Sequence, residues 1–135
     1  MTSQMRRPSR PRLAAAAAML LGLIAVAGTA VPTAAAEVER EKRGTCSASA
    51  RWELSLEKEH GRIEVSMEID TFRSGRAWDV RAWQDGDRFV NTTRVTDREG
   101  EIDIDRVRRD TAGSDTISFR ATSSTGEVCS GRLVI

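Results

Sequence analysis

The sequence predicts an all-β protein: a seven-stranded antiparallel sandwich of two sheets, tied by one disulfide and preceded by a signal peptide. Apolar and polar residues alternate with a period of two in several short segments, which is typical of half-buried strands. Turn signals recur about every dozen residues, and no segment has a convincing helical period. Such a succession of short strands favours a sandwich, with a five-stranded barrel as the alternative.

Residues 1–36 have the basic, apolar and small-residue order of a secretory signal peptide. Ala34 and Ala36 supply the small side chains that cleavage requires, so we predict a cut after Ala36. An uncleaved membrane anchor is the alternative, because the apolar run Leu13–Ala30 is near the lower length limit for spanning a bilayer. That run is rich in Ala and only weakly hydrophobic. We therefore predict a secreted protein, extracellular or cell-wall associated, with no membrane segment after cleavage.

The charge of the whole chain averages over two unlike parts. It is +1, with 21 Lys and Arg against 20 Asp and Glu, but residues 1–36 contain four Arg and no acid. Residues 37–135 therefore carry 17 basic and 20 acidic side chains, a net charge of −3. A net acidic domain argues against nucleic-acid binding, and its length suits one modest core. We expect a monomer without a nucleic-acid partner.

Cys46 and Cys129 are the only cysteines in the chain. In a small exported domain an even count indicates a disulfide, and two cysteines allow one pairing. The two are far from the CxxC spacing of a redox pair and have no His close to them in sequence. The sequence therefore predicts a structural Cys46–Cys129 bond.

The N-terminal half of the mature chain is predicted as follows. Residues 37–45 are charged and lack a hydrophobic period, so we predict a flexible lead-in, with the β-sandwich domain at 46–135. From Cys46 onward, apolar and polar residues alternate along the chain, which predicts the first strand. The elements follow in the order Cys46–Leu56, the turn Glu57–Gly61, Ile63–Asp70, the break Phe72–Gly75, and Trp78–Trp83.

Asp85-Gly86 starts the C-terminal half and is a strong hairpin signal, because a two-residue turn requires positive φ values that Asp and Gly tolerate. Four further strands are predicted, with turns and a longer connection between them: Arg88–Val95, the turn Asp97–Gly100, Glu101–Asp105, the connection Val107–Asp115, Ile117–Ala121, the turn Ser123–Gly126, and Cys129–Ile135. Glu101, Asp103 and Asp105 share one strand face. Their repulsion predicts an Arg on the neighbouring strand, with Ca²⁺ as the alternative.

Candidate chemistry is sparse. His60, the only His, lies in a charged turn, where an exposed side chain is the simpler expectation than a catalytic base. We predict no enzyme activity, no cofactor and no metal site. Trp52 and Trp78 fall on the core phase of their strands, whereas Trp83 falls on the polar phase. Trp83 is therefore a candidate ligand contact that stacks on a sugar or anchors a partner, unless Arg stems cover it.

Several short motifs carry a family resemblance. They are Gly44-Thr45-Cys46-Ser47, Trp52-Glu53-Leu54, Gly61-Arg62-Ile63-Glu64-Val65, Trp78-Asp79-Val80-Arg81, Asp110-Thr111-Ala112-Gly113-Ser114-Asp115, Arg120-Ala121-Thr122 and Gly126-Glu127-Val128-Cys129. In these the chain resembles small, uncharacterised exported proteins of actinobacteria with an immunoglobulin- or fibronectin type III-like sandwich. The resemblance implies this sandwich fold and export from the cell. It implies no particular activity. In such an order the first strand lies beside the last and parallel to it, which would bring Cys46 and Cys129 together.

These observations lead to two functional hypotheses. The first is an exported, non-catalytic module that binds a protein or a cell-wall polymer through loop tips or an exposed sheet face. The alternative is a secreted protein inhibitor that acts through one exposed loop, Val107–Asp115.

Overall fold

The computed structural model describes residues 36–135, so the predicted signal peptide lies outside the described residues apart from Ala36. Eight strands form two antiparallel sheets of four strands each. The strands are β1 Val38–Thr45, β2 Arg51–Glu59, β3 Arg62–Asp70, β4 Ala77–Gln84, β5 Asp87–Val95, β6 Glu101–Arg109, β7 Thr116–Ser123 and β8 Val128–Val134. The first sheet has the order β1-β2-β3-β6 and the second β5-β4-β7-β8. The all-β, two-sheet prediction is confirmed, but the strand count of seven is wrong.

The additional strand is β1, in the segment predicted as a flexible lead-in. It pairs with β2 along its whole length, from Val38 opposite Lys58 to Thr45 opposite Arg51. β1 is an edge strand, so it forms backbone hydrogen bonds on one side only, and its charged side chains remain in solvent. β1 can therefore form without an alternation of apolar and polar residues. The sandwich starts at Val38 rather than at residue 46.

The core lies between the two sheets and contains the apolar phase of every strand except β1. Trp52 and Trp78 are 7% and 2% exposed, which confirms their predicted burial. The Trp52 ring meets the Phe119 ring edge to face, with centroids 5.3 Å apart. Most other members are aliphatic: Leu54, Leu56, Ile63, Val65, Met67, Ile69, Val80, Ala82, Val90, Ile102, Ile104, Ile117 and Ala121.

The Cys46–Cys129 disulfide is present, as predicted. Cys46 does not start a strand, however, but lies in the loop between β1 and β2, whereas Cys129 is buried on β8. All strand pairs among the described residues are antiparallel, so no parallel pairing of the first and last strands aligns the cysteines. The bond instead joins a loop of the first sheet to a strand of the second.

The predicted turns agree with the structure in most positions. Asp85-Gly86 forms a two-residue hairpin with φ values of 51° and 95°, and His60-Gly61 forms another with 48° and 73°. Residues Val107–Arg109 were expected in a connection, but β6 continues through them because they pair with β3. The β6–β7 loop is therefore only residues 110–115.

Antiparallel pairing places successive connections at opposite ends of the sandwich. Four loops lie at one end, which we call the loop end: β1–β2 (46–50), β3–β4 (71–76), β5–β6 (96–100) and β7–β8 (124–127). The other end, which we call the hairpin end, holds the two tight hairpins and the β6–β7 loop.

Candidate functional site

A cavity of about 480 Å³ opens at the loop end. Three loops line it, β1–β2, β3–β4 and β7–β8, together with the start of β4. Its size falls in the range of small-molecule binding sites, roughly 300–1,000 Å³. Its lining is mostly small and hydroxyl-bearing, with three charged side chains: Arg73, Arg76 and Glu127.

Trp78 lines this cavity and carries a buried, unpartnered donor. It is the first inward-facing residue of β4, directly opposite Ser123 of β7, and its side chain is almost fully buried. The indole Nε1–H is buried and has no hydrogen-bond partner in the described part of the chain. A buried donor without an acceptor costs about 1–3 kcal/mol of stability. Less than 1 Å² of the Nε1 atom is accessible, so a ligand in the cavity does not reach this donor in the structure as it stands.

Two threonines hold the backbone of the loop that carries the arginines. Thr96 Oγ1 donates to the Arg73 carbonyl at 2.6 Å and accepts the Arg76 backbone N–H at 2.8 Å. Thr71 Oγ1 accepts the Arg73 N–H at 3.2 Å from the other side. Both arginines therefore project from a backbone that is fixed before any ligand binds, which lowers the entropy cost of binding.

The same loop contains a strained residue. Phe72 has a φ of 56° and exposes 56% of its side chain, although bulky residues rarely adopt positive φ. Gly100 packs against this turn so closely that a Cβ there would lie 2.5 Å from the Arg73 nitrogen. Strained backbone held by its surroundings is frequent at binding sites.

The opposite wall of the cavity is held by the disulfide and by hydrogen bonds around it. Next to Cys46, the Ser47 N–H donates to the Val128 carbonyl at 2.8 Å, and Ser47 Oγ accepts the Val128 N–H at 2.9 Å. The Ala50 N–H donates to Glu127 Oε1 at 2.8 Å. The Cys46–Cys129 bond therefore fastens the β1–β2 loop to the start of β8, beside the cavity.

The electrostatics of the cavity favour a hydrogen-bond acceptor. Arg73 and Arg76 form no ion pair with any residue in 36–135, and a guanidinium has donors only. Glu127 is the only carboxylate in the lining, and one of its oxygens is already engaged. The arrangement can bind and orient an acceptor-rich group.

Trp83, the ligand contact predicted from sequence, lies elsewhere. It is half-buried on the outer face of the second sheet, beside a bulge between Ala82 and Trp83. Trp78 and Trp83 occupy opposite ends of β4, so the structure does not bring Trp83 to the cavity. His60 is exposed in its hairpin, as expected, and it also lies at the hairpin end. A ligand contact by Trp83 stays a prediction.

Several acidic side chains accept hydrogen bonds from backbone N–H groups, and others face one another. Asp97 Oδ1 accepts the backbone N–H of Glu99 and of Glu101, and Asp85 Oδ1 accepts that of Thr116. Across residues 36–135, no group of three or more His, Cys, Asp or Glu side chains is placed to hold a metal ion. The predicted Arg opposite the acidic face of β6 is absent, because Asp70 and Glu68 of β3 stand there.

Sequence reasoning missed Arg73, Arg76 and Glu127. A signal existed in Phe72-Arg73-Ser74-Gly75-Arg76, where two arginines flank a turn glycine. Their convergence with Glu127 depends on loops that are about fifty residues apart, which no local pattern reveals.

Comparison of the chain with protein-family models, curated proteins and solved structures finds no match. Within the described residues, no helix is long and apolar enough to cross a membrane.

Proposed function

We propose that this protein is an exported, non-catalytic β-sandwich that acts as a binding module, and that the loop-end cavity is its binding site. The observation that carries the proposal is the cavity of about 480 Å³ at the loop end, lined by Arg73 and Arg76, which form no ion pair with any residue in 36–135. The walls are held by Thr71, Thr96 and the disulfide before binding. The partner is a cell-wall polymer or a secreted protein, bound by the monomer.

Export and an immunoglobulin- or fibronectin type III-like fold belong to the same proposal. The disulfide supports an oxidising compartment. The second sheet, β5-β4-β7-β8, has the C′-C-F-G order of immunoglobulin domains. In the first sheet, β2-β3-β6 has the A-B-E order, with β1 added beside A and, among residues 36–135, no strand in the D position. A relation to exported actinobacterial proteins is therefore proposed from the motifs and from this topology.

Retention of a partner tests the binding function. The purified, oxidised protein is incubated with isolated wall polymer and with concentrated medium of the source cells, and retained material is quantified. We expect the Arg73→Gln/Arg76→Gln variant to lose most of the retention. Arg98→Gln is the matched control, because Arg98 is exposed in a loop at the same end but outside the lining. Equal retention by the double variant would overturn the cavity as the binding site.

The second candidate is a secreted inhibitor that acts through the β6–β7 loop. Buried Asp115 anchors this loop, because Asp115 Oδ1 accepts hydrogen bonds from Thr111 Oγ1 and Gln84 Nε2, while residues 111–114 are exposed. A rigid, exposed tip is suited to occupying a partner's cleft. This candidate predicts that Ala112→Asp abolishes capture of a secreted protein and that Arg73→Gln/Arg76→Gln leaves capture intact.

A further inference from the structure

Three ionisable side chains meet at the hairpin end of the sandwich: Lys58 near the end of β2, Asp110 directly after β6, and Asp115 directly before β7. Lys58 Nζ lies 2.6 Å from Asp110 Oδ1, and the two side chains are only 25% and 21% exposed. The backbone of Asp110 is held in place, because its N–H donates to the Gly61 carbonyl at 3.0 Å. An amine and a carboxyl group are therefore in contact at a site that is mostly removed from water.

The contact between Lys58 and Asp110 lacks the geometry of a hydrogen-bonded ion pair. Asp110 Oδ1 is buried and has no hydrogen-bond partner in the described part of the chain, although Lys58 Nζ is so near. The amine is thus close to the carboxyl group without the alignment that a hydrogen bond requires. Since Oδ1 is bonded to Cγ, Nζ lies within about 4 Å of that carbon, close to the roughly 3–3.5 Å that separates reacting atoms before a bond forms.

Asp115 supplies a proton acceptor beside this pair. It is completely buried, and its Oδ1 accepts hydrogen bonds from Gln84 and Thr111. Burial raises its pKa, but hydrogen bonds from Gln84, Thr111 and the Asp110 carboxyl outweigh the burial and hold the pKa below its ordinary value. Asp115 is therefore ionised at neutral pH, and its charge lies against the Asp110 carboxyl group.

We propose that Lys58 and Asp110 condense to an amide bond within the folded chain, and that Asp115 moves the proton. Once the ion pair has exchanged its proton, the neutral Lys58 Nζ attacks Cγ of the protonated Asp110 carboxyl. Asp115 accepts a proton from Nζ and returns it to the leaving hydroxyl group. One amide bond forms, one water molecule is released, and Asp115 is unchanged.

This amide bond complements the disulfide. Cys46–Cys129 joins the two sheets at the loop end, whereas the amide bond fixes the β6–β7 loop to β2 at the hairpin end. A covalent cross-link stabilises a small domain mainly by restricting its unfolded state. The bond adds to the proposed binding function and does not depend on it.

Mass spectrometry of the folded, oxidised protein tests the proposal. We expect the intact mass to be lower than that of the disulfide-bonded sequence by one water molecule. After reduction and proteolysis, tandem spectra should contain a branched peptide that joins Lys58 to Asp110. An intact mass without this loss, or a loss located at the N-terminus or within Asp110 alone, would overturn the proposal.

Substitutions of the two reacting groups identify the bond. Lys58→Arg keeps the positive charge but has no primary amine, so it should retain the full mass. Lys42→Arg is the matched control and should lose water as the wild type does, because Lys42 is the only other lysine and is exposed on β1. Asp110→Asn should release ammonia instead of water. A water loss that persists in Lys58→Arg or in Asp110→Asn would overturn the assignment.

Asp115→Asn tests the proton transfer. We expect the linked mass to appear at least about 100-fold more slowly after synthesis, because the proton acceptor is removed. Ser114→Ala, at the exposed neighbouring position, should link at the wild-type rate. Near-ultraviolet circular dichroism identifies the folded protein in each case. A folded Asp115→Asn protein that links at the wild-type rate would contradict the role of Asp115.

Discussion

Two glycines make room for the Trp52 side chain in the core. Gly44 on β1 and Gly131 on β8 face the Trp52 indole, and a Cβ at either position would come within 2.5 Å and 2.7 Å of its ring atoms. Neither glycine has a positive φ, so the requirement is space rather than backbone conformation. The edges of the two sheets approach closely because glycines stand where Trp52 needs room.

We predict that Gly131→Ala lowers the free energy of unfolding by about 1–3 kcal/mol, because the added methyl group must displace the Trp52 and Phe119 rings. Urea denaturation followed by Trp fluorescence measures this. Ser130→Ala, at the exposed neighbouring position, is the control and should change the free energy by less than about 0.5 kcal/mol. An unchanged unfolding free energy for Gly131→Ala would show that Trp52 moves without cost.

The β6–β7 loop shows how one buried carboxylate can organise a connection. Asp115 is completely buried, and Oδ1 accepts hydrogen bonds from Gln84 Nε2 at 2.6 Å and Thr111 Oγ1 at 2.8 Å. Gln84 Oε1 in turn accepts from Arg108 Nε at 2.9 Å. Burial alone raises the pKa of Asp115, but the hydrogen bonds from Gln84 and Thr111 outweigh it and hold the pKa below its ordinary value of 3.8.

This lowered pKa gives a pH dependence of known sign. The unfolded chain binds a proton more readily than the native Asp115, so the stabilisation is complete above the ordinary pKa and is lost as the pH falls through the native value. We predict that Asp115→Asn costs about 1–3 kcal/mol at pH 7 and less at pH values below the ordinary pKa. Urea denaturation at pH 7 and at a pH below 3.8 measures the difference. Ser114→Ala, at an exposed position, is the control. A cost that is independent of pH would exclude a role for the charge.

Across the whole molecule, the net charge of −3 is distributed unevenly. On the outer face of the first sheet, Glu53, Glu68 and Asp103 stand directly side by side on three strands. On the outer face of the second sheet, Arg81 stands opposite Arg120. Partial burial and then the charge of Asp103 raise the pKa of Glu68. The acidic face is therefore a source of instability at neutral pH.

We predict that Glu68→Gln increases the free energy of unfolding at pH 7, because it removes a carboxylate from this row. A raised pKa means that the native state binds the proton more readily, so the relative stability is highest below the ordinary value of 4.5 and declines as the pH rises through the native value. The gain from Glu68→Gln should therefore shrink at pH 4. Urea midpoints at the two pH values measure it, with Asp87→Asn, exposed at the hairpin end, as the control. A destabilised Glu68→Gln protein would contradict the repulsion.

The sequence predicted those elements whose signal is local. Alternation identified β3 and β7 because one face of each meets the core and the other meets water. The alternation missed β1, because this edge strand is held by backbone pairing with β2 and has no buried face. It also predicted arginines opposite Asp103, where Glu68 stands, because strand order and register decide which side chains face each other.

By itself, the sequence determined an all-β domain, its Asp85-Gly86 hairpin and the Cys46–Cys129 pair, since periodicity, turn chemistry and cysteine count are properties of short segments or of composition. Only the tertiary structure decided where the candidate binding site lies. Trp78 carries a core signal in sequence, yet it also lines a cavity that three distant loops enclose. Such a site arises from the meeting of the loops, and that meeting is set by the order and register of strands in two sheets.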